Sequence, residues 1–227
     1  MVFGAVSVDR IAKLILVRGH LRTGSQWVLP ASDTLIGRSE GVVVFPDDQC
    51  LAARHARLVW RGPELFLEPL ASTNGVFVRV RSPVRMRAGN ECLIGTQRLR
   101  VLSPDDRPRL LPPGHDDTPL LGSAVKPAPP ICLARVSGDP EAHEVYYRPQ
   151  RLLTIGRAYC DVVFPGDGFV SERHAQLTAE ADGSLTLEDL GSRNGTYLRA
   201  RTAHALAHGD ILLMGEQVVR VELPRAG

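Results

Sequence analysis

LTIGRAYCDVVFPGDGFVSERHAQL (153–177) lies over TLIGRSEGVVVFPDDQCLAARHARL (34–58) at a constant offset of 119. After a one-residue insertion the offset becomes 120: TNGVFV (73–78) meets RNGTYL (193–198), and GNECLIG (89–95) meets GDILLMG (209–215). Shared identity, spacing and order mark a duplication, and a period this long predicts two globular copies, not a solenoid. The expected boundaries are 1–103 for the first copy and 131–227 for the second. Between them PDDRPRLLPPGHDDTPLLGSAVKPAPP (104–130) is rich in Pro, Gly and Asp with no apolar period, the composition of a partly extended linker.

Inside each copy the apolar runs are short and punctuated by turn residues. KLILV, TLIGR, VVVF, ARLVW, LFLEPL, VFVRV, ECLIG and QRLRVL predict strands in the first copy. EVYY, LLTIGR, DVVF, AQLTAE, LTLEDL, TYLRA, DILLMG and QVVRVEL predict them in the second. No segment keeps a helical apolar period for long, so the class is all-β, with a two-sheet sandwich per copy. Folds that bind nucleotides with crossover helices are disfavoured.

Of the 227 residues 44% are hydrophobic and 23% charged, the balance of ordinary globular protein. No apolar run is long enough to span a bilayer as a helix, and MVFGAVSVDRIAKLILVRGH lacks the pattern of a secretory signal. Cys50, Cys92, Cys132 and Cys160 are scattered, which predicts reduced thiols, no metal site and a cytoplasmic location. The net charge of +2 is uneven: residues 1–103 hold fourteen Lys/Arg against eight Asp/Glu, and residues 131–227 hold ten against thirteen.

The residues of interest at fixed offsets fall at strand ends or in loops. In the second copy they are Gly156, Arg157, Ser171, His174, Arg193, Asn194, Gly195 and Thr196; all but Ser171, Arg193 and Thr196 are identical in the first. Loops from different strands gather at one rim of a sandwich. An Arg fork, a hydroxyl and free backbone N–H groups there form a ring of donors without a base, nucleophile or metal ligand. Such a set suits a tetrahedral oxyanion, and Arg is favoured where phosphate is gripped bidentately. Arg157 could instead pair with Asp161, and His174 and His55 are expected as buried structural groups. Asn-Gly at 74–75 and 194–195 is also a strong hairpin signal.

The order Gly-Arg, then Ser-x-x-His-Ala, then Ser-x-Asn-Gly-Thr resembles that of forkhead-associated (FHA) domains, in both copies. The resemblance implies an eleven-stranded β-sandwich per copy that binds phosphothreonine peptides through loops at one end, without a cofactor or an enzymatic step. It assigns Arg157 and Ser171 to the phosphate and Asn194 to the peptide backbone. Arg193 falls where the family grips phosphate or selects the side chain three beyond it, and Thr196 is grouped with these. Gly156, His174 and Gly195, with Gly37 and His55 in the first copy, are implied to be structural.

Two departures stand out. Glu172 occupies a position where the family often carries Arg or Lys. In the first copy Arg38, Thr73 and Asn74 remain, but Ala52 replaces the Ser and Val76 the Thr. A lost charge-assisted hydrogen bond costs roughly 1.5–3 kcal/mol, so the first site is expected to bind poorly or not at all. The expected partner is a phosphothreonine protein, a Ser/Thr kinase or its substrate. The alternative is a phospho-independent scaffold, such as a secretion-apparatus component. RVRSPVRMR (79–87) predicts a solvated face or a patch for an acidic partner, including the second copy; nucleic acid is disfavoured because no aromatic residues are interleaved. Thr118, with Leu121 three positions on, is a candidate for self-association once phosphorylated.

Overall fold

The computed structural model describes residues 12–30, 32–103, 130–138 and 144–224. The linker from 104 and Thr118 lie outside the described residues. Every regular element among the described residues is a strand. The chain runs through β1 (Ala12–Arg18), β2 (Gln26–Leu29), β3 (Thr34–Gly37), β4 (Val43–Val44), β5 (Ala56–Arg61), β6 (Glu64–Pro69) and β7 (Val76–Arg79). Next come β8 (Val84–Met86), β9 (Glu91–Ile94), β10 (Gln97–Val101), β11 (Ile131–Arg135), β12 (Val145–Arg148), β13 (Leu152–Gly156) and β14 (Val162–Val163). The chain ends with β15 (Ala175–Ala179), β16 (Leu185–Asp189), β17 (Thr196–Ala200), β18 (His204–Ala205), β19 (Ile211–Met214) and β20 (Gln217–Glu222). β2, β8, β11 and β18 are additions to the strands expected from sequence; β8 and β18 are too short to show alternation.

The two compact units are not the two contiguous halves. One unit comprises residues 1–79 and 199–227, the other residues 80–198. In the first unit the strand orders are β7-β19-β20-β1-β2 and β18-β6-β5-β3-β4. In the second they are β17-β9-β10-β11-β12 and β8-β16-β15-β13-β14. The layouts are equivalent, with ten described strands each, one fewer than the family resemblance implies. The last three strands of each repeat have changed places: β20 pairs with β1, Leu14 opposite Val221, and β10 pairs with β11, Val101 opposite Leu133. The boundaries 1–103 and 131–227 are corrected accordingly. The second unit is continuous and begins with strands that the duplication assigns to the first repeat; it is inserted between β7 and β18 of a discontinuous first unit.

The cores follow this partition. Ala12, Leu14 and Leu16 of β1 share a buried cluster with Leu206, Leu212, Met214, Val219 and Val221. Met86, Cys92, Ile94, Leu99 and Val101 are buried with Ile131, Leu133, Leu153, Ile155 and Leu177. The two exchanged sets match position by position at an offset of 120 and are apolar throughout, so either satisfies the same core. Burial is non-directional and the ladder bonds are backbone bonds, hence the interchangeability.

Charge is redistributed with the strands. The first unit holds thirteen Lys/Arg against ten Asp/Glu and the second fourteen against fifteen, so the asymmetry between contiguous halves largely disappears. The arginine stretch is built into the second unit: β8 is an edge strand beside β16, and Arg85 lies 3.4 Å from Asp182.

Candidate functional site

Every residue of the second candidate site lies in the continuous unit. Arg157 follows the end of β13, and its amide donates to the Ser171 carbonyl at 2.9 Å, which sets the two residues side by side. Gly156 permits this approach, because a Cβ there would stand 2.0 Å from the Glu172 carbonyl oxygen. His174 is fully buried. Its Nδ1 accepts the Ser171 amide at 3.0 Å and its Nε2 reaches the Gly195 carbonyl at 3.2 Å, tying the serine loop to the Asn-Gly loop. Asn194 Nδ2 donates to the Phe169 carbonyl at 2.9 Å, and Ser171 Oγ accepts the Arg193 amide at 3.1 Å. Oγ accepts that bond, which leaves the hydroxyl proton available to donate.

The Arg157 guanidinium is exposed and has no ion-pair or hydrogen-bond partner among the described residues. Asp161 is not its partner: that carboxylate accepts from Thr154 and lies 3.1 Å from Arg148, and the Thr154 hydrogen bonds hold its pKa below the usual range. Arg173 and Arg193 are likewise exposed and unpaired among the described residues, as is Glu172. No carboxylate therefore clamps Arg157, and three cations face one anion around the serine loop. Tyr159, two positions from Arg157, adds an aromatic ring that is 94% exposed, on a backbone with φ of 54°.

Thr196 is not on the rim. It is fully buried, and its Oγ1 donates to Asp189 Oδ2 at 2.7 Å, an oxygen that also accepts Ser192 Oγ at 2.7 Å. Burial would raise the Asp189 pKa, but these donors outweigh it and hold the pKa low. The first unit has Pro69 at the Asp189 position, opposite Ala56 as Asp189 is opposite Ala175. It has Val76 in place of Thr196. The Thr-to-Val difference thus follows the loss of an internal acceptor, not the loss of a ligand contact.

The first unit repeats the frame with a changed rim. His55, fully buried, accepts the Ala52 amide on Nδ1 at 3.0 Å, and its Nε2 reaches the Gly75 carbonyl at 2.9 Å. A Cβ at Gly37 would stand 2.0 Å from the Ala53 carbonyl oxygen, and Asn74 Nδ2 donates to the Cys50 carbonyl. The Arg38 guanidinium is engaged, donating to Gln49 Oε1 at 3.1 Å, and Ala52 offers no hydroxyl beside Thr73. No group of three His, Cys, Asp or Glu side chains that could hold a metal occurs among the described residues.

Sequence reasoning missed Asp167, which supports the serine loop. It is buried and accepts four hydrogen bonds: from the Thr96 amide (2.8 Å), Thr96 Oγ1 (2.6 Å), Gln97 Nε2 (2.7 Å) and the Phe169 amide (2.9 Å). Burial pushes the Asp167 carboxyl up, but these bonds pull it below its ordinary range. Asp48 and Gln217 recur at the same offsets, a signal present in the sequence.

A model of the FHA domain matches residues 34–95 and 153–215. FhaB, an FHA domain-containing protein of Mycobacterium tuberculosis, is 34% identical over 95 residues, 40% of this chain; the match spans 61% of FhaB itself. The oxoglutarate dehydrogenase inhibitor of Corynebacterium diphtheriae is 34% identical over 108 residues, 46% of this chain and 75% of that protein. Among solved structures, M. tuberculosis EmbR in complex with a low-affinity phosphopeptide is 23% identical, at a TM-score of 0.23 over 39% of this chain and 24% of EmbR. The two matched segments together exceed half of the sequence, and the chain belongs to the FHA domain family as a tandem member.

Proposed function

We propose that the continuous unit captures phosphothreonine on a partner protein and that the chain is a non-catalytic adaptor in Ser/Thr kinase signalling. The observation that carries this reading is the Arg157 guanidinium: exposed, unpartnered among the described residues, and tied through its backbone to Ser171. A dianionic phosphoryl group would take the guanidinium fork and the Ser171 hydroxyl proton, charge-assisted bonds of the strong kind. Asn194 would orient the adjacent peptide backbone, and Arg193 would add charge from the facing loop. Thr196 is left out of the binding set. The first unit, with Arg38 engaged and no hydroxyl at Ala52, serves as scaffold. Four free cysteines accord with a reducing, cytoplasmic setting.

Glu172, exposed beside Ser171, favours the second reading, a phosphate-independent assembly surface. A degenerate phosphothreonine library and its unphosphorylated twin, presented to wild type and Arg157→Ala, separate the two. Retention of the phosphorylated library by wild type alone supports capture; equal retention of both libraries supports the scaffold. Docking of phosphorylated Thr118 is a narrower form of the same proposal, read with a peptide spanning 114–122.

A further inference from the structure

Ser171 sits on a loop that the first repeat holds in place. The turn between β9 and β10, Gly95-Thr96, seats Asp167 and Val170: a Cβ at Gly95 would come within 2.5 Å of the Val170 side chain. Thr96 and Gln97 hold one oxygen of Asp167, and its other oxygen accepts the Phe169 amide. The Phe169 carbonyl in turn accepts Asn194 Nδ2. One short path therefore joins a hairpin of the first repeat to both loops of the anion site. The discontinuous unit is built in mirror fashion. Asp48 Oδ2 accepts the Glu216 amide and Gln217 Nε2, each at 2.8 Å, Asp48 Oδ1 accepts the Cys50 amide at 2.9 Å, and the Cys50 carbonyl accepts Asn74 Nδ2.

We infer that Thr96 and Gln97 are positioning residues for the Ser171–Asn194 site, so that the repeat lacking its own serine supplies the support of the other repeat's phosphate loop. The inference rests on the phosphate reading above for its ligand and on the strand exchange for its geometry. It explains why Ala52 is tolerated in a repeat whose hairpin turn keeps its polar groups: the turn serves the other site. The two turns are not equivalent in charge. Thr96 turns a hydroxyl onto Asp167, whereas Glu216, aligned with it, pairs with His20.

The test uses the full chain and a fluorescent phosphothreonine peptide taken from the library that wild type retains. Gln97→Leu and Thr96→Val each weaken binding by tenfold or more, and Thr96→Ser, which keeps the donor, restores it to within twofold of wild type. Gln217→Leu, the same change on the turn that holds Asp48, lowers the melting temperature comparably and leaves affinity within twofold. Loss of affinity in Gln217→Leu with none in Gln97→Leu overturns the inference and indicates contiguous repeats; equal losses overturn it as a general stability effect. Should wild type retain no phosphothreonine peptide, the phosphate reading falls by itself. Amide exchange then judges the positioning: Gln97→Leu accelerates Phe169 and Ser171, and Gln217→Leu accelerates Cys50 and Ala52. Unchanged exchange at Phe169 and Ser171 in Gln97→Leu refutes it.

Discussion

Replacing Ser171 by alanine isolates the hydroxyl from the rest of the rim. Its backbone contacts survive, because the amide still donates to His174 Nδ1 and the carbonyl still accepts the Arg157 amide. In the free protein the change removes one acceptor, that of the exposed Arg193 amide, which water replaces. The expected effect on folding is within about 0.5 kcal/mol, the range of surface substitutions away from special features. In the complex it removes a hydrogen bond to a charged phosphoryl oxygen, worth about 1.5–3 kcal/mol, or roughly ten- to 150-fold in Kd. Thermal melting measures the first quantity, and titration calorimetry of the same samples with a phosphothreonine peptide retained by wild type measures the second. Ser171→Thr keeps the hydroxyl and is expected to lose far less. Ala52→Ser, in the other unit, leaves this titration unchanged. If Ser171→Ala binds within threefold of wild type while Arg157→Ala does not, the hydroxyl is no phosphate ligand and the site geometry has been misassigned.

Two further expectations concern the discontinuous unit, where both tryptophans, Trp27 and Trp60, pack against the core and report its unfolding by fluorescence. Burial lowers the His55 pKa below its usual value of 6.5, and Nδ1 must stay unprotonated to accept the Ala52 amide. The unfolded chain then binds more protons, so stability rises with pH through this range: it is fully present above about 6.5 and lost as pH falls below it. A melting temperature for this unit that does not fall between pH 7 and pH 5 contradicts the assignment. Val76→Thr places a hydroxyl where Val76 is fully buried and Pro69 offers no carboxylate, so it is expected to destabilise this unit by about 1–3 kcal/mol in urea unfolding. Thr196→Val, leaving Asp189 one donor short, is expected to destabilise the other unit, read by hydrogen exchange; a neutral Thr196→Val would refute the coupling of Thr196 to Asp189.

Much of the site is legible along the chain. Arg157, His174 and Asn194 recur at fixed spacing with Ser171 between them, and the structure places all four at the junction of two loops. Thr196 shows where such reading fails: a residue inside a motif shares the motif's spacing whether it faces a ligand or the core. The support Asp167 acts through partners that only the fold brings near, Thr96 being 71 positions away.

The sequence by itself determines the duplication, the all-β class and the polar set at the strand ends, because alternation, turn residues and spacing are local properties. Tertiary structure alone decides which strands complete which sandwich. Met86 and Leu206, Ile94 and Met214, and Val101 and Val221 are paired by the duplication and equally apolar. Hydrophobic burial does not distinguish them, and backbone ladders carry no sequence information. Polar contacts at the turns, Thr96 with Asp167 and Glu216 with His20, join residues far apart along the chain and exist only once the strands are in place.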